Sequence, residues 1–216
     1  DVQWTRRQLP AGKLLSVSVV GTMQAGWTLE QLAGDYALCA RWAVESGADC
    51  IETNFSCPNV STCDGQIYQS ADQARTVARA VRAAIGQTPY IIKIGHLMCH
   101  ESIDALLDAV SGVVDALAMT NSIATKVRRD GGYLFDGQQR GICGDAIREE
   151  SIQQVNKFSQ KIKRRRLPVK LIGVGGICSA VDVQRYLDAG AHACHLATSP
   201  MLNPAVGLEL REHMRS

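Results

Sequence analysis

Asn54-Phe55-Ser56-Cys57-Pro58-Asn59 puts two amides, a hydroxyl and a thiol at the end of a short, partly apolar strand. Amides can read a flat, polar ligand along its edges, and a thiolate can take a proton from it. Pro58 cannot continue a hydrogen-bonded ladder, so the strand must stop and these groups fall in a strand-to-helix loop, where α/β proteins keep their chemistry. Cys57 is the candidate base; a free thiol titrates near about 8.5, and an isolated cysteine is otherwise an inert packing residue. Lys93 ends the apolar strand Tyr90-Ile91-Ile92-Lys93-Ile94. A cation on an inward face there needs an anion or a strong acceptor, unless it snorkels out from the strand end. Gly173-Val174-Gly175-Gly176 follows one strand and opens a helix, and Ala197-Thr198-Ser199 follows the next. Glycines let backbone N–H groups approach closely and helix N-termini favour negative charge, so the two loops together read as an anion site. The glycine cluster alone reads equally well as a tight turn. Thr120-Asn121-Ser122 ends another strand, where an asparagine by itself is a turn former.

The elements that must position these groups alternate. Strands are predicted at 14–20, 50–54, 90–94, 116–120, 169–174 and 193–197, and helices at 29–46, 71–85, 103–110, 149–163, 180–189 and from about 205 to 214. Strand–helix repetition with strands apolar on both faces implies a parallel sheet covered by helices. Gly47, Gly86 and Gly190 stand just past helix ends, where a left-handed cap suits glycine. Residues 123–145 form a long connection rich in glycine, charge and glutamine, expected to be irregular and to serve as a lid or ligand-side loop.

The chain has 216 residues, 46% hydrophobic and 20% charged, with a formal net charge of +2, the make-up of one ordinary globular domain. Nothing global suggests nucleic acid or membrane. The one basic run, Lys161-Ile162-Lys163-Arg164-Arg165-Arg166, most simply caps a helix C-terminus, with a polyanion patch as the other reading. Eight cysteines are scattered through apolar segments without a Cys-x-x-Cys pair, which fits a reducing compartment better than a disulfide scaffold. His96-Leu97-Met98-Cys99-His100 lacks the acid of a zinc-protease helix, and no metal site is expected. No export signal or apolar run of about 18 residues appears, so the sequence as given is expected neither to be exported nor to span a membrane.

The motif at 54–59 resembles the loop after the fourth barrel strand of the dihydroorotate dehydrogenase family. That loop reads Asn-x-Ser-Cys-Pro-Asn in the cysteine-using members and has serine at the Cys57 position in the membrane-linked ones. The resemblance runs from about Leu14 to the C-terminus and makes 14–20 the third strand. It implies an FMN-dependent (β/α)8 TIM barrel, present here as a single partial barrel domain over 1–216 that lacks the first two strand–helix units. It also implies a cytoplasmic, soluble-type enzyme oxidising dihydroorotate to orotate. Cys57 would remove a proton from C5 while hydride leaves C6 for flavin N5, and Asn54, Asn59, Asn121 and Ser122 would hold the pyrimidine ring. Lys93 would lie beside the electron-poor pyrimidine edge of the flavin, and Asn121 would also contact the flavin. Gly144, in Gly141-Ile142-Cys143-Gly144, matches the family's Gly-Gly-x-x-Gly turn beside the cofactor, with Arg140 and Cys143 replacing small residues. Gly175, Gly176, Ala197 and Thr198 would hold the FMN phosphate in the loops after strands seven and eight, Ala197 standing where the family usually has glycine. Two alternatives accompany this reading: a fragment or degenerate relative that binds FMN weakly, and a dehydrogenase for another dihydropyrimidine. Partners are expected to be a small-molecule dihydropyrimidine and, since a six-stranded sheet leaves two open edges, a second copy or a complementing chain.

Overall fold

The computed structural model describes residues 1–56 and 63–214. The chain divides into two compact units, Asp1–Leu117 with Leu167–Val169, and Ala118–Arg166 with the segment from Lys170 onward.

In the first unit a helix that the sequence reading missed, α1 (Val2–Gln8), precedes β1 (Ser16–Val19), α2 (Leu29–Glu45), β2 (Cys50–Asn54), α3 (Ala71–Ile85), β3 (Tyr90–Ile94), α4 (His100–Val110) and the first half of β4 (Ala116–Met119), whose last two residues belong to the second unit. Arg6 anchors α1 through a 2.6 Å ion pair to Asp49, whose carboxylate also accepts the Leu15 N–H at 2.7 Å. Thr28 and Gln31 form a capping box that starts α2, and Leu32, Ala33, Tyr36, Ala40 and Ala43 recur at helical spacing to bury one face. Ser70 caps α3, which buries Ala74, Val77, Ala78, Val81 and Ile85. Cys99 caps α4 with its Sγ accepting the Ser102 N–H at 3.4 Å, so the histidine-cysteine stretch is a helix start.

β1 and β2, and β2 and β3, pair in parallel. The register sets Ser16 opposite Cys50, Ser18 opposite Glu52, Glu52 opposite Ile91 and Asn54 opposite Lys93. Side chains alternate between faces along a strand, so one face collects Ser16, Ser18, Glu52, Asn54 and Lys93. For β1–β3 this corrects the expectation of strands apolar on both faces, which β4 (Ala116–Met119) does meet, being apolar and buried at every position. The opposite face is the apolar one, with Ile51, Tyr90, Ile92 and Ile94 fully buried. Its one polar pairing, Thr53 Oγ1 to Tyr90 OH at 2.9 Å, is satisfied internally, and burial pushes the Tyr90 hydroxyl far above its ordinary pKa.

The second unit continues with β5 (Ile123–Lys126), β6 (Arg128–Arg129), β7 (Gly132–Tyr133), β8 (Gln139–Ile142), α5 (Arg148–Arg165), β9 (Lys170–Val174), α6 (Ala180–Asp188), β10 (Ala193–His195), α7 (Thr198–Leu202) and α8 (Val206–His213). The connection at 123–145 is not irregular. β5 pairs antiparallel with β8, and β6 with β7. The turn between β6 and β7 is Asp130-Gly131, both at positive φ (49° and 84°), the dipeptide that two-residue hairpins favour. Arg128 lies over the Tyr133 ring at 4.4 Å, as cross-strand partners do. Lys163, Arg164 and Arg165 occupy the last turn of α5, and Arg166 closes it in the left-handed conformation, so the basic run caps the helix.

Six strands form one sheet in the order β1-β2-β3-β4-β9-β10. Strands adjacent in this order follow one another in sequence through helices, apart from the hairpins before α5. This is the α/β arrangement of a partial (β/α)8 barrel with six of its strand–helix units. Among the described residues no helix is long and apolar enough to cross a membrane.

Gly190 follows α6 at φ +106°, and a Cβ there would come within 2.6 Å of Ser159 Cβ on α5. Gly190→Ala therefore combines a strained backbone with overpacking. It is expected to destabilise the protein by about 2 kcal/mol or more, read as a lower urea midpoint at unchanged slope.

Candidate functional site

The first cluster sits on the polar face of the first unit. Asn54 and Lys93 are register partners at the C-terminal ends of neighbouring strands, so the structure brings these two expected site residues side by side. Asn54 Oδ1 accepts the Ser56 N–H at 3.1 Å, an Asx turn that bends the chain out of β2. That bond engages the amide oxygen and turns the amide NH2 into the part able to meet a ligand. Lys93 Nζ donates to Glu52 Oε1 at 2.8 Å, and Ser18 Oγ donates to the same oxygen at 2.8 Å. The Lys93 and Glu52 side chains are only 20% and 7% exposed. The anion that the lysine was expected to need is thus a residue of the chain itself. Sequence reasoning missed Glu52, although an acid two residues before Asn54 on the same strand must share its face. Cys57 and Asn59 lie outside the described residues.

The second cluster belongs to the second unit. Gly144 and Thr198 touch, since a Cβ on Gly144 would lie 3.4 Å from Thr198 Oγ1, and a Cβ on Gly176 would lie 3.0 Å from the Gly144 oxygen. Gly144, Gly175, Gly176 and Thr198 therefore come together, with Ala197 one residue away and both Ala197 and Thr198 exposed. Gly175 and Gly176 adopt φ +125° and +67°. Their carbonyls are tied back: Gly175 O accepts from Tyr186 OH at 2.7 Å, and Gly176 O from Arg148 Nε at 2.8 Å. These two bonds fix the orientation of the glycine turn. Burial pushes the Tyr186 hydroxyl up to about 12, which keeps it a neutral donor. Ser199 Oγ, donating to Ile177 O at 2.6 Å, locks the two loops together.

One part of the expected anion site is corrected. The α6 N-terminus is filled by its own acid: Asp182 Oδ2 accepts from the Cys178 and Ser179 N–H groups at 3.1 and 3.0 Å, and Arg148 Nε lies 3.2 Å from Oδ1. Burial alone would raise the Asp182 carboxyl, but the hydrogen bonds from Ser179 and Cys178, with Arg148, outweigh it and hold it below the ordinary value. Arg148, Asp182 and Tyr186 are support residues that no motif signalled, because their role comes from packing under the loop.

Asn121 and Ser122 are half-buried directly after β4. Thr120 beside them is buried, its N–H donating to Val174 O at 2.8 Å and its Oγ1 accepting from Gln154 Nε2 at 3.1 Å. These bonds fix where the strand ends and so where Asn121 begins.

Comparison with known proteins finds relatives along most of the chain. A 30% identical match over 216 residues, covering 97% of this chain and 58% of the relative, is a dihydroorotate dehydrogenase of Dictyostelium discoideum. The catalytic subunit of a dihydroorotate dehydrogenase B (NAD(+)) of Maridesulfovibrio salexigens is 29% identical over 204 residues, 87% of this chain and 63% of that protein. A dihydroorotate dehydrogenase (quinone) of Kineococcus radiotolerans is 32% identical over 167 residues, 74% of this chain and 44% of that protein. The chain thus spans roughly half of the length of these relatives. Since the dihydroorotate dehydrogenase family profile matches residues 8–214, nearly the whole of it, the chain belongs to that family.

Proposed function

We propose that the protein carrying this chain oxidises dihydroorotate to orotate with FMN. The observation that carries this reading is the Asn54–Lys93 register pair, an amide and an ammonium side by side at the ends of adjacent strands. The N–H groups of Gly175 and Gly176, with Thr198, Gly144 and Ala197 around them, would take the FMN phosphate; two glycines at positive φ with tied-back carbonyls suit a small anion. FMN, when bound, supplies a hydride acceptor.

The chain's residues do the rest. Asn54, Asn59, Asn121 and Ser122 hold the pyrimidine by its amide edges, which orients the reacting carbons and rejects rings without those groups. Cys57 takes the proton from C5. With FMN bound beside it, the Lys93 ammonium would favour negative charge on the cofactor, a preorganised electrostatic contribution. Among the described residues Cys39, Cys50, Cys99, Cys143, Cys178 and Cys194 are free thiols, consistent with a cytoplasmic location. A second copy or a complementing chain is the proposed partner.

The test is anaerobic. The purified protein should show flavin absorbance that bleaches on adding dihydroorotate, with orotate appearing in equal amount. Absence of flavin, or flavin indifferent to dihydroorotate, would overturn the proposal.

A further inference from the structure

Glu52 has no part in the reading above, yet it is placed with care. The residue is 5% exposed, and one oxygen receives both Lys93 Nζ and Ser18 Oγ, each at 2.8 Å. Three adjacent strands thus contribute one group each, and the register alone brings them together: Ser18 directly opposite Glu52, and Lys93 opposite the residue two places on. Withdrawing a carboxylate from water costs several kcal/mol, which a cation and a hydroxyl donor must offset, and an apolar pair of similar size often stabilises a fold as well. Fold stability therefore does not account for the pair. Its electrostatic effect does. A lone ammonium projects a full positive charge onto whatever lies beside it, whereas an ammonium 2.8 Å from a carboxylate projects little more than a dipole, which weakens faster with distance.

We infer that Glu52 is the resident counter-anion of Lys93, a positioning residue that holds the ammonium at the strand end and limits its pull on an electron-accepting ligand. The inference rests on the FMN reading and deepens it. The driving force for hydride arrival is set by the Lys93–Glu52 pair, with Ser18 steadying the carboxylate, and not by the lysine alone.

The experiment compares the flavin-loaded parent with Glu52→Gln, which keeps shape and removes charge, and Glu52→Asp, which keeps charge and draws it back by one methylene. Two spectroscopic readouts need no turnover: the flavin midpoint potential by dye equilibration, and the dissociation constant of sulfite, an anion that adds to oxidised flavin. Glu52→Gln should raise the potential and tighten sulfite by about tenfold or more, the effect of one uncompensated charge a few ångströms away in a partly buried site. Glu52→Asp should shift both in the same direction by less. In flavin-free protein, acylation of Lys93 by an amine-reactive ester, read by peptide mass, should be faster in Glu52→Gln. Flavin retained with potential and sulfite affinity unchanged or lowered overturns the inference and leaves the FMN reading standing. A parent that binds no flavin removes the FMN reading, and this inference with it. Should Glu52→Gln fail to fold, Glu52→Asp decides alone, and an unshifted potential there overturns the inference.

Discussion

Gly176→Asp is expected to strip FMN from the protein while Gly176→Ala removes only part of it, and the difference between the two isolates the phosphate. At φ +67° any side chain is strained, and its Cβ would meet Arg148 Cβ at 2.8 Å and the Asp145 Cα at 3.0 Å. Both variants therefore displace the loop and loosen the cradle to a similar degree. The aspartate adds a like charge within a few ångströms of the phosphate. At an effective dielectric of about 20 that repulsion is about 3 kcal/mol, or about a hundredfold in affinity. Riboflavin, which has no phosphate, should discriminate little between the two variants. The measurement is a fluorescence titration of flavin-free protein with FMN and with riboflavin, beside thermal melts that report loop damage. Equal FMN affinities for the alanine and aspartate variants would place the phosphate elsewhere.

Much of this geometry was legible in the sequence, because periodicity and punctuation report backbone demands directly. The strand at 50–54 and the helix at 71–85 are present with those bounds, since Ser70 caps the helix and five apolar residues recur along one face. Lys161 to Arg166 reads as a helix end for a local reason, the attraction of cations to the last carbonyls. What was not legible depends on partners distant in sequence. Nothing near Glu52 announces that it meets Lys93, 41 residues away, or Ser18, 34 away; only the strand register does. Asp182 belongs to no motif, and its carboxylate accepts the Cys178 and Ser179 N–H groups at the start of the helix that was expected to favour an anion. The hairpins at 123–142 were missed although Asp130-Gly131 is a strong turn signal, since charge and glycine around it mask the short β-strands. Helix α1 was missed because seven residues carry too few repeats for periodicity to register, and none of them is buried.

Cys57→Ser is expected to leave flavin content and orotate affinity nearly intact while slowing flavin reduction by about a hundredfold to ten-thousandfold near neutral pH, the usual worth of a positioned general base. Serine keeps the size and the hydrogen-bonding capacity of the group, so binding through Asn54 and its neighbours should survive. What changes is acidity. A free thiol is ionised in part at neutral pH, with a pKa of about 8.5, whereas a serine hydroxyl is not ionised at any accessible pH. The parent's reduction rate should therefore climb with pH and level off as the thiol becomes thiolate, while the serine variant should show no such plateau. Anaerobic stopped-flow mixing of oxidised protein with dihydroorotate reads both quantities, the rate at one pH and its profile across several. A variant whose dihydroorotate affinity falls while its limiting rate holds would mark Cys57 as a binding contact, because loss of a base lowers the limiting rate and spares binding. Equal rates and equal profiles, with flavin fully bound in both proteins, would remove Cys57 from the chemical step.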